Sequence, residues 1–241
     1  MRPAAASSSW TPGAPTREAV VRPSAAPRTV TTVTSLLLLS LGVGAVPAFL
    51  ASQAPAGRPL TIGYVPDAAR ADADAPWARA ERERVAGLGH PVVDVRLTGT
   101  DVEALAVTLD GVDALYVAGG STFALLDAFR TSGADRLVPE RVRAGLPYIG
   151  LSAGSIVAGP SIEPASLMDD PADAPGLTDL RGLGLTDAVV VPHADGKLPP
   201  YPLELIGRTL DRYGSDHELV PLCDDEALLV TGPGWKVVAS A

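Results

Sequence analysis

The chain is poor in cysteine, with Cys223 alone among 241 residues. One thiol cannot build an internal disulfide framework, and it cannot supply a cysteine-based zinc site. A lone thiol suits a reducing compartment. In Leu219-Val-Pro-Leu-Cys223 it reads as a small buried hydrophobe. Positive charge is also scarce. There are 19 Lys and Arg against 28 Asp and Glu, for a net charge of −9 and a pI near 4.8. A nucleic-acid partner calls for a basic face, so this balance argues against one. Residues 1–28 have almost no large aliphatic side chains and are rich in Ala, Ser and Pro. Such a segment cannot bury a core, so a disordered tail is expected there, followed by one domain over 29–241. No internal repeat is present, and no motif calls for a metal or a cofactor.

At 46% hydrophobic residues the remainder can fill the core of one large domain. Its first apolar stretch, Thr31 to Leu50, carries no charge. One reading is an export signal or membrane anchor, with Arg22 and Arg28 ahead and Ala51 and Ala54 behind. The other is a core strand over about 30–39, a glycine loop at Gly42 and Gly44, and a short helix. Pro47 and the glycines interrupt a continuous helix, and the β-branched run before Leu36 prefers strand, so the strand reading is favoured.

Further on, the pattern is regular. Leu60-Thr-Ile-Gly-Tyr-Val reads as a strand and 77–88 as a helix ending at glycine. The stretches 91–97 and 113–118 read as strands. A short helix capped by Thr100 or Asp101 lies between them. Helices are expected over 121–129, 134–143 and 202–213, and strands at the residues before Ser152 and His193. Two final strands, about 226–231 and 235–239, close as a hairpin around Thr231-Gly-Pro-Gly. Strands alternating with helices define an α/β fold, a doubly wound, mostly parallel sheet with helices on both faces. Ligands bind such sheets at the carboxyl ends of the strands.

Three features fall at carboxyl ends. Gly150-Leu-Ser-Ala-Gly154 is a G-x-S-x-G at a strand-to-helix turn, where glycines two before and two after relieve clashes around a strained nucleophile, Ser152. Gly119-Gly120 opens a helix, and a backbone N–H there together with that of Ala153 would form an oxyanion hole. His193 ends the apolar strand Ala188-Val-Val-Val-Pro and faces the crevice. His90 and His217 lie outside strand ends and read as surface residues. A Ser–His pair needs an acid to orient the imidazole, and Glu163, Asp169 and Asp170 lie between the two in the chain.

Val117-Ala-Gly-Gly-Ser-Thr-Phe, Gly150-Leu-Ser-Ala-Gly-Ser and Val191-Pro-His together resemble the family of serine peptidases that includes dipeptidase E and cyanophycinase. The resemblance runs from about residue 30 to the C-terminus. It implies a class I glutamine amidotransferase-like (flavodoxin-like) fold, with serine where those enzymes use cysteine. It also implies a strand and glycine loop at the start of the domain, Ser152 as nucleophile and His193 as base. The family's acid, two residues before a proline, points to Asp169, with Asp170 and Glu163 as alternatives. The chain departs from the pattern at Ser121, where many members have asparagine, and in a longer loop between Ser152 and His193.

The expectation is a cytoplasmic serine peptidase acting on dipeptides or small peptides, N-terminal Asp-X among them. An aspartyl preference needs a cation in the pocket, and Lys197, Arg181 and Arg208 are the candidates. The small peptide is the expected partner. A membrane is not, and a homodimer is left open. Rival readings are an α/β-hydrolase esterase, whose acid and histidine usually lie further downstream, a non-catalytic binding protein of the same fold, and an exported protein.

Overall fold

In the computed structural model, residues 34–54, 58–232 and 234–241 are described. The expected tail, 1–28, and the start of the expected first strand, 30–33, lie outside them. So does Pro55, near the cleavage point of the exported reading.

The stretch suggestive of a membrane span is divided between two short elements. Ser35–Leu39 forms β1 and Val46–Gln53 forms α1. Among the described residues no helix is long and apolar enough to cross a membrane. β1 lies inside a seven-stranded sheet. The other strands are β2 (Ile62–Val65), β3 (Val92–Asp94), β4 (Ala114–Val117), β5 (Tyr148–Leu151), β8 (Glu226–Thr231) and β9 (Gly234–Ala239). Their order is β3-β2-β4-β5-β1-β8-β9. The first five run parallel, and β8 and β9 are antiparallel. The sheet is therefore mixed, mostly parallel, and ends in the expected hairpin.

Four consecutive leucines in β1 make sense only in a strand covered on both faces. Leu36 and Leu38 join one buried cluster, and Leu37 and Leu39 join another on the opposite face. Against the first pack α3 (Val102–Asp110), α4 (Thr122–Ser132), α5 (Ala134–Arg143) and α6 (Ala153–Val157). Against the second pack α1 and α2 (Pro76–Ala86). Local chemistry sets the helix starts. Asp101 caps α3 by accepting from Ala104 N, and Ser121 caps α4 by accepting from Ala124 N. α4 stops at Gly133, whose φ of 76° suits a residue without a Cβ.

One pair of strands stands apart. β6 (Ala188–Val191) pairs in parallel with β7 (Glu218–Pro221) in a separate two-stranded sheet, joined through α7 (Leu203–Tyr213). The sequence pattern does not announce β7, whose residues are only half covered. Cys223, just after it, is half-buried rather than fully buried, and burial pushes its thiol up to about 12.

Leu38 is fully buried in the middle of the sheet. Leu38→Ala is expected to lower unfolding free energy by about 2–5 kcal/mol, read from urea denaturation.

Candidate active site

Ser152 sits where β5 turns into α6, with φ 46° and ψ −105°. A non-glycine residue with positive φ is strained, and the surroundings hold it there. An ideal Cβ at Gly150 would lie 2.4 Å from Gly154 O, and one at Gly154 would lie 2.2 Å from Val117 O. The turn can be this tight only with glycine at both places. Ser152 N donates to Leu39 O at 3.0 Å, and the Tyr148 hydroxyl donates to Gly154 O at 2.7 Å.

The β6–β7 unit brings His193 to the serine. His193 is also at positive φ, 59°, and is 2% exposed. Its backbone N–H donates to Ser40 Oγ at 2.8 Å. Nε2 lies 3.0 Å from Ser152 Oγ, and Nδ1 lies 2.7 Å from Asp224 Oδ1. A carboxylate only accepts, so the proton belongs on Nδ1 and Nε2 is left to accept from the serine hydroxyl. Tyr201 stacks on the imidazole, with centroids 4.8 Å apart and planes at 8°.

The acid beside the histidine is therefore Asp224, not Asp169. Asp169 accepts from Thr122 N at 2.9 Å and from the Tyr201 hydroxyl at 3.2 Å, and burial raises its pKa. It touches the ring that covers His193, and does not meet the imidazole nitrogens. Asp170 caps its own turn through Ala172 N, and Glu163 lies 3.7 Å from His217. The expected acids lie between Ser152 and His193 in the chain, whereas Asp224 lies 31 residues beyond the histidine. The signal available was the Asp224-Asp225 pair just before the hairpin. An antiparallel strand starts at the edge where its parallel neighbours end, so the loop before β8 also reaches the catalytic edge. His90 and His217 are half-buried, and His90 Nδ1 accepts from Leu60 N at 2.9 Å.

The Gly119-Gly120 turn divides its N–H groups. Ala118 N donates to Val65 O, Gly119 N to Glu81 Oε1 at 3.2 Å, Ser121 N to Ala68 O, and Thr122 N to Asp169. Among the described residues, Gly120 N has no such partner, and neither has Ala153 N across the turn. Of the expected oxyanion donors, Gly119 is thus engaged elsewhere, while Gly120 and Ala153 meet no acceptor among the described residues. Gly120 has φ 134°, and a Cβ there would strike Ala68 O at 2.4 Å.

Glu81 stands on the buried stripe of α2 with Ala78 and Val85, and it is 3% exposed. Burial raises its carboxyl to about 7, against a smaller opposing pull from the Gly119 N–H. The Tyr116 hydroxyl lies beside it, short of hydrogen-bond geometry. A cleft of about 470 Å³ flanks the same helix and reaches Ala69, next to Gly120. Arg70, Arg79, Arg82 and Arg96 are among its lining residues. Arg70 pairs with Asp127 and Arg82 with Asp94. Among the described residues, no cluster of three or more His, Cys, Asp or Glu side chains is placed to hold a metal.

A mostly parallel α/β sheet carrying a serine elbow at its carboxyl edge, met there by a histidine from the separate β6–β7 pair, defines a serine-hydrolase architecture. The sequence profile of peptidase family S51 matches residues 45–238, and the chain belongs to that family: it is a serine peptidase. An uncharacterized peptidase of Listeria innocua is 31% identical over 170 residues, covering 70% of this chain and 80% of the relative. A peptidase E of Streptomyces coelicolor is 37% identical over 136 residues, 54% of each chain. The crystal structure of a putative peptidase E from Listeria monocytogenes superposes with a TM-score of 0.75 at 25% identity, covering 87% of this chain and all of that one.

The raised Glu81 carboxyl has a stability consequence. Its folded pKa, about 7, lies above its unfolded value near 4.5. The native state therefore holds the extra proton between those pH values, and stability falls as pH rises through that window. The loss is about 3 kcal/mol at about 1.4 kcal/mol per unit. Glu81→Gln should abolish this component, as urea denaturation at about pH 5 and about pH 7.5 would reveal.

Proposed function

We propose that the chain is a metal-independent peptidase of dipeptides or small peptides, working through Ser152, His193 and Asp224. The unbroken line from Ser152 Oγ through the His193 ring to Asp224 carries the reading. Ser152 Oγ attacks the scissile carbonyl carbon while His193 Nε2 takes its proton. Asp224 holds the Nδ1–H tautomer and stabilises the imidazolium that forms. The carbonyl electrons move to oxygen, where the Gly120 and Ala153 N–H groups receive them. In well-measured enzymes such a donor contributes about 3 kcal/mol. The tetrahedral adduct collapses, and the C–N bond breaks as His193 protonates the leaving amine. Water, activated by the same histidine, then hydrolyses the acyl-enzyme and frees Ser152.

Asp-X dipeptides are the substrates to try first, as the resemblance of the three motifs to the dipeptidase E family implies. The cations singled out in the sequence give this preference little support. Lys197 is held by Asp195 and Arg181 by Asp179, while Arg208 is exposed. Arg79 and Arg96, also exposed, line the cleft that reaches Ala69 next to the Gly120 turn and are further candidates to meet an acidic side chain. A cytoplasmic setting belongs to the same proposal and fits the lone thiol.

The test is hydrolysis of a dipeptide library, Asp-X and others, by wild type, Ser152→Ala and Asp224→Asn. Ser152→Ala should lose measurable turnover. Asp224→Asn should lose about 10⁴-fold in kcat, the effect of the wrong tautomer in the best-studied triad. Undiminished activity in Ser152→Ala would refute the proposal.

A further inference from the structure

The proposed mechanism does not use Glu81, and its position is unusual for an acid. It stands where the amphipathic stripe of α2 calls for an apolar residue, between Ala78 and Val85, with 3% of its surface exposed. A carboxyl in such a place costs stability unless its oxygens are engaged. Oε1 is engaged, by Gly119 N at 3.2 Å. Glu81 also adjoins the nucleophile. An ideal Cβ at Gly119 would lie 3.6 Å from Glu81 Oε2 and 3.6 Å from Ser152 Cβ, so carboxyl and serine flank the same glycine.

That glycine begins a Gly–Gly peptide. Two consecutive glycines allow the Gly119–Gly120 peptide plane to turn at small steric cost. Whether the Gly120 N–H faces a developing oxyanion depends on what fixes that plane. Backbone carbonyls hold the positions on either side: Val65 O receives Ala118 N, and Ala68 O receives Ser121 N. Between them the Gly119 N–H, in the Ala118–Gly119 plane from which the Gly119–Gly120 peptide swings, is held by the Glu81 side chain, its one acceptor among the described residues.

We propose that Glu81 is a positioning residue for the oxyanion hole, holding the Gly119 N–H so that the Gly120 N–H is presented to the transition state. This inference rests on the serine-peptidase mechanism above. Either protonation state can do it, because a neutral carboxyl still accepts through its carbonyl oxygen. The neutral form also keeps a negative charge away from an oxyanion forming nearby.

Two variants and two readouts test this. Glu81→Leu removes the acceptor but fills the apolar stripe, so the fold is retained. Glu81→Gln keeps an acceptor oxygen. On the best dipeptide of the library, Glu81→Leu should lower kcat by about 10- to 10³-fold, the range for weakening one oxyanion donor, with KM within about twofold. Glu81→Gln should recover most of the loss. Independently of activity, amide hydrogen exchange in the segment 118–122 should speed up at least about tenfold in Glu81→Leu, from local loosening of the turn. Wild-type kcat in folded Glu81→Leu, or unchanged exchange in that segment, overturns the proposal. If Ser152→Ala is inactive while Glu81→Leu is fully active, the peptidase mechanism stands and the role of Glu81 falls. If Ser152→Ala is active too, the mechanism falls, and the exchange measurement still decides whether Glu81 holds the turn.

Discussion

Everything at the site hangs from the carboxyl end of β1. Leu39 O accepts from Ser152 N at 3.0 Å and from the Ser155 hydroxyl at 2.7 Å, which ties down the elbow. One residue on, Ser40 Oγ accepts from the His193 backbone N–H at 2.8 Å and lies 3.5 Å from Asp224 Oδ1. Two further on, Gly42 N donates to Asp224 O at 2.7 Å. One short segment thus anchors all three members of the Ser–His–Asp line. The run of leucines that could pass for a leader peptide lies between β5 and β8 in the sheet.

Strain and burial follow from this anchoring. Ser152 and His193 are the described non-glycine residues at positive φ, and they face each other. Each such conformation costs of order 1–3 kcal/mol, and it persists where surrounding contacts over-determine it. Here those contacts are the tight Gly150–Gly154 approach, the Leu39 carbonyl and the Ser40 hydroxyl. Tyr201 covers the imidazole, and its hydroxyl runs on to Asp169, which also holds the N-terminal end of α4. A residue nominated as the acid is therefore part of the support around the histidine.

Much of the fold was legible because it is local. The β-branched and leucine runs, the glycine stops, the Asp101 and Ser121 caps and the final turn each act within a few residues, and the elements fall close to where the pattern puts them. β7 was not legible, because its half-covered residues carry no clear alternation. The exchange of Asp169 for Asp224 has a similar origin. Proximity in sequence favoured the loop after the elbow. Proximity in space came from a strand that reverses direction.

The sequence by itself marked the elbow, since G-x-S-x-G between an apolar strand and a helix supplies glycines where a tight turn around a serine needs them. It also determined the class of the sheet, and Ser152 and His193 as a candidate pair at carboxyl ends of strands. The tertiary structure decided which carboxylate meets the imidazole, which N–H of the glycine pair is free, and that Glu81 lies beneath it. Those three depend on how β8 pairs with β1 and how α2 packs beside β4. Such contacts join residues far apart in the chain, and no local preference encodes them.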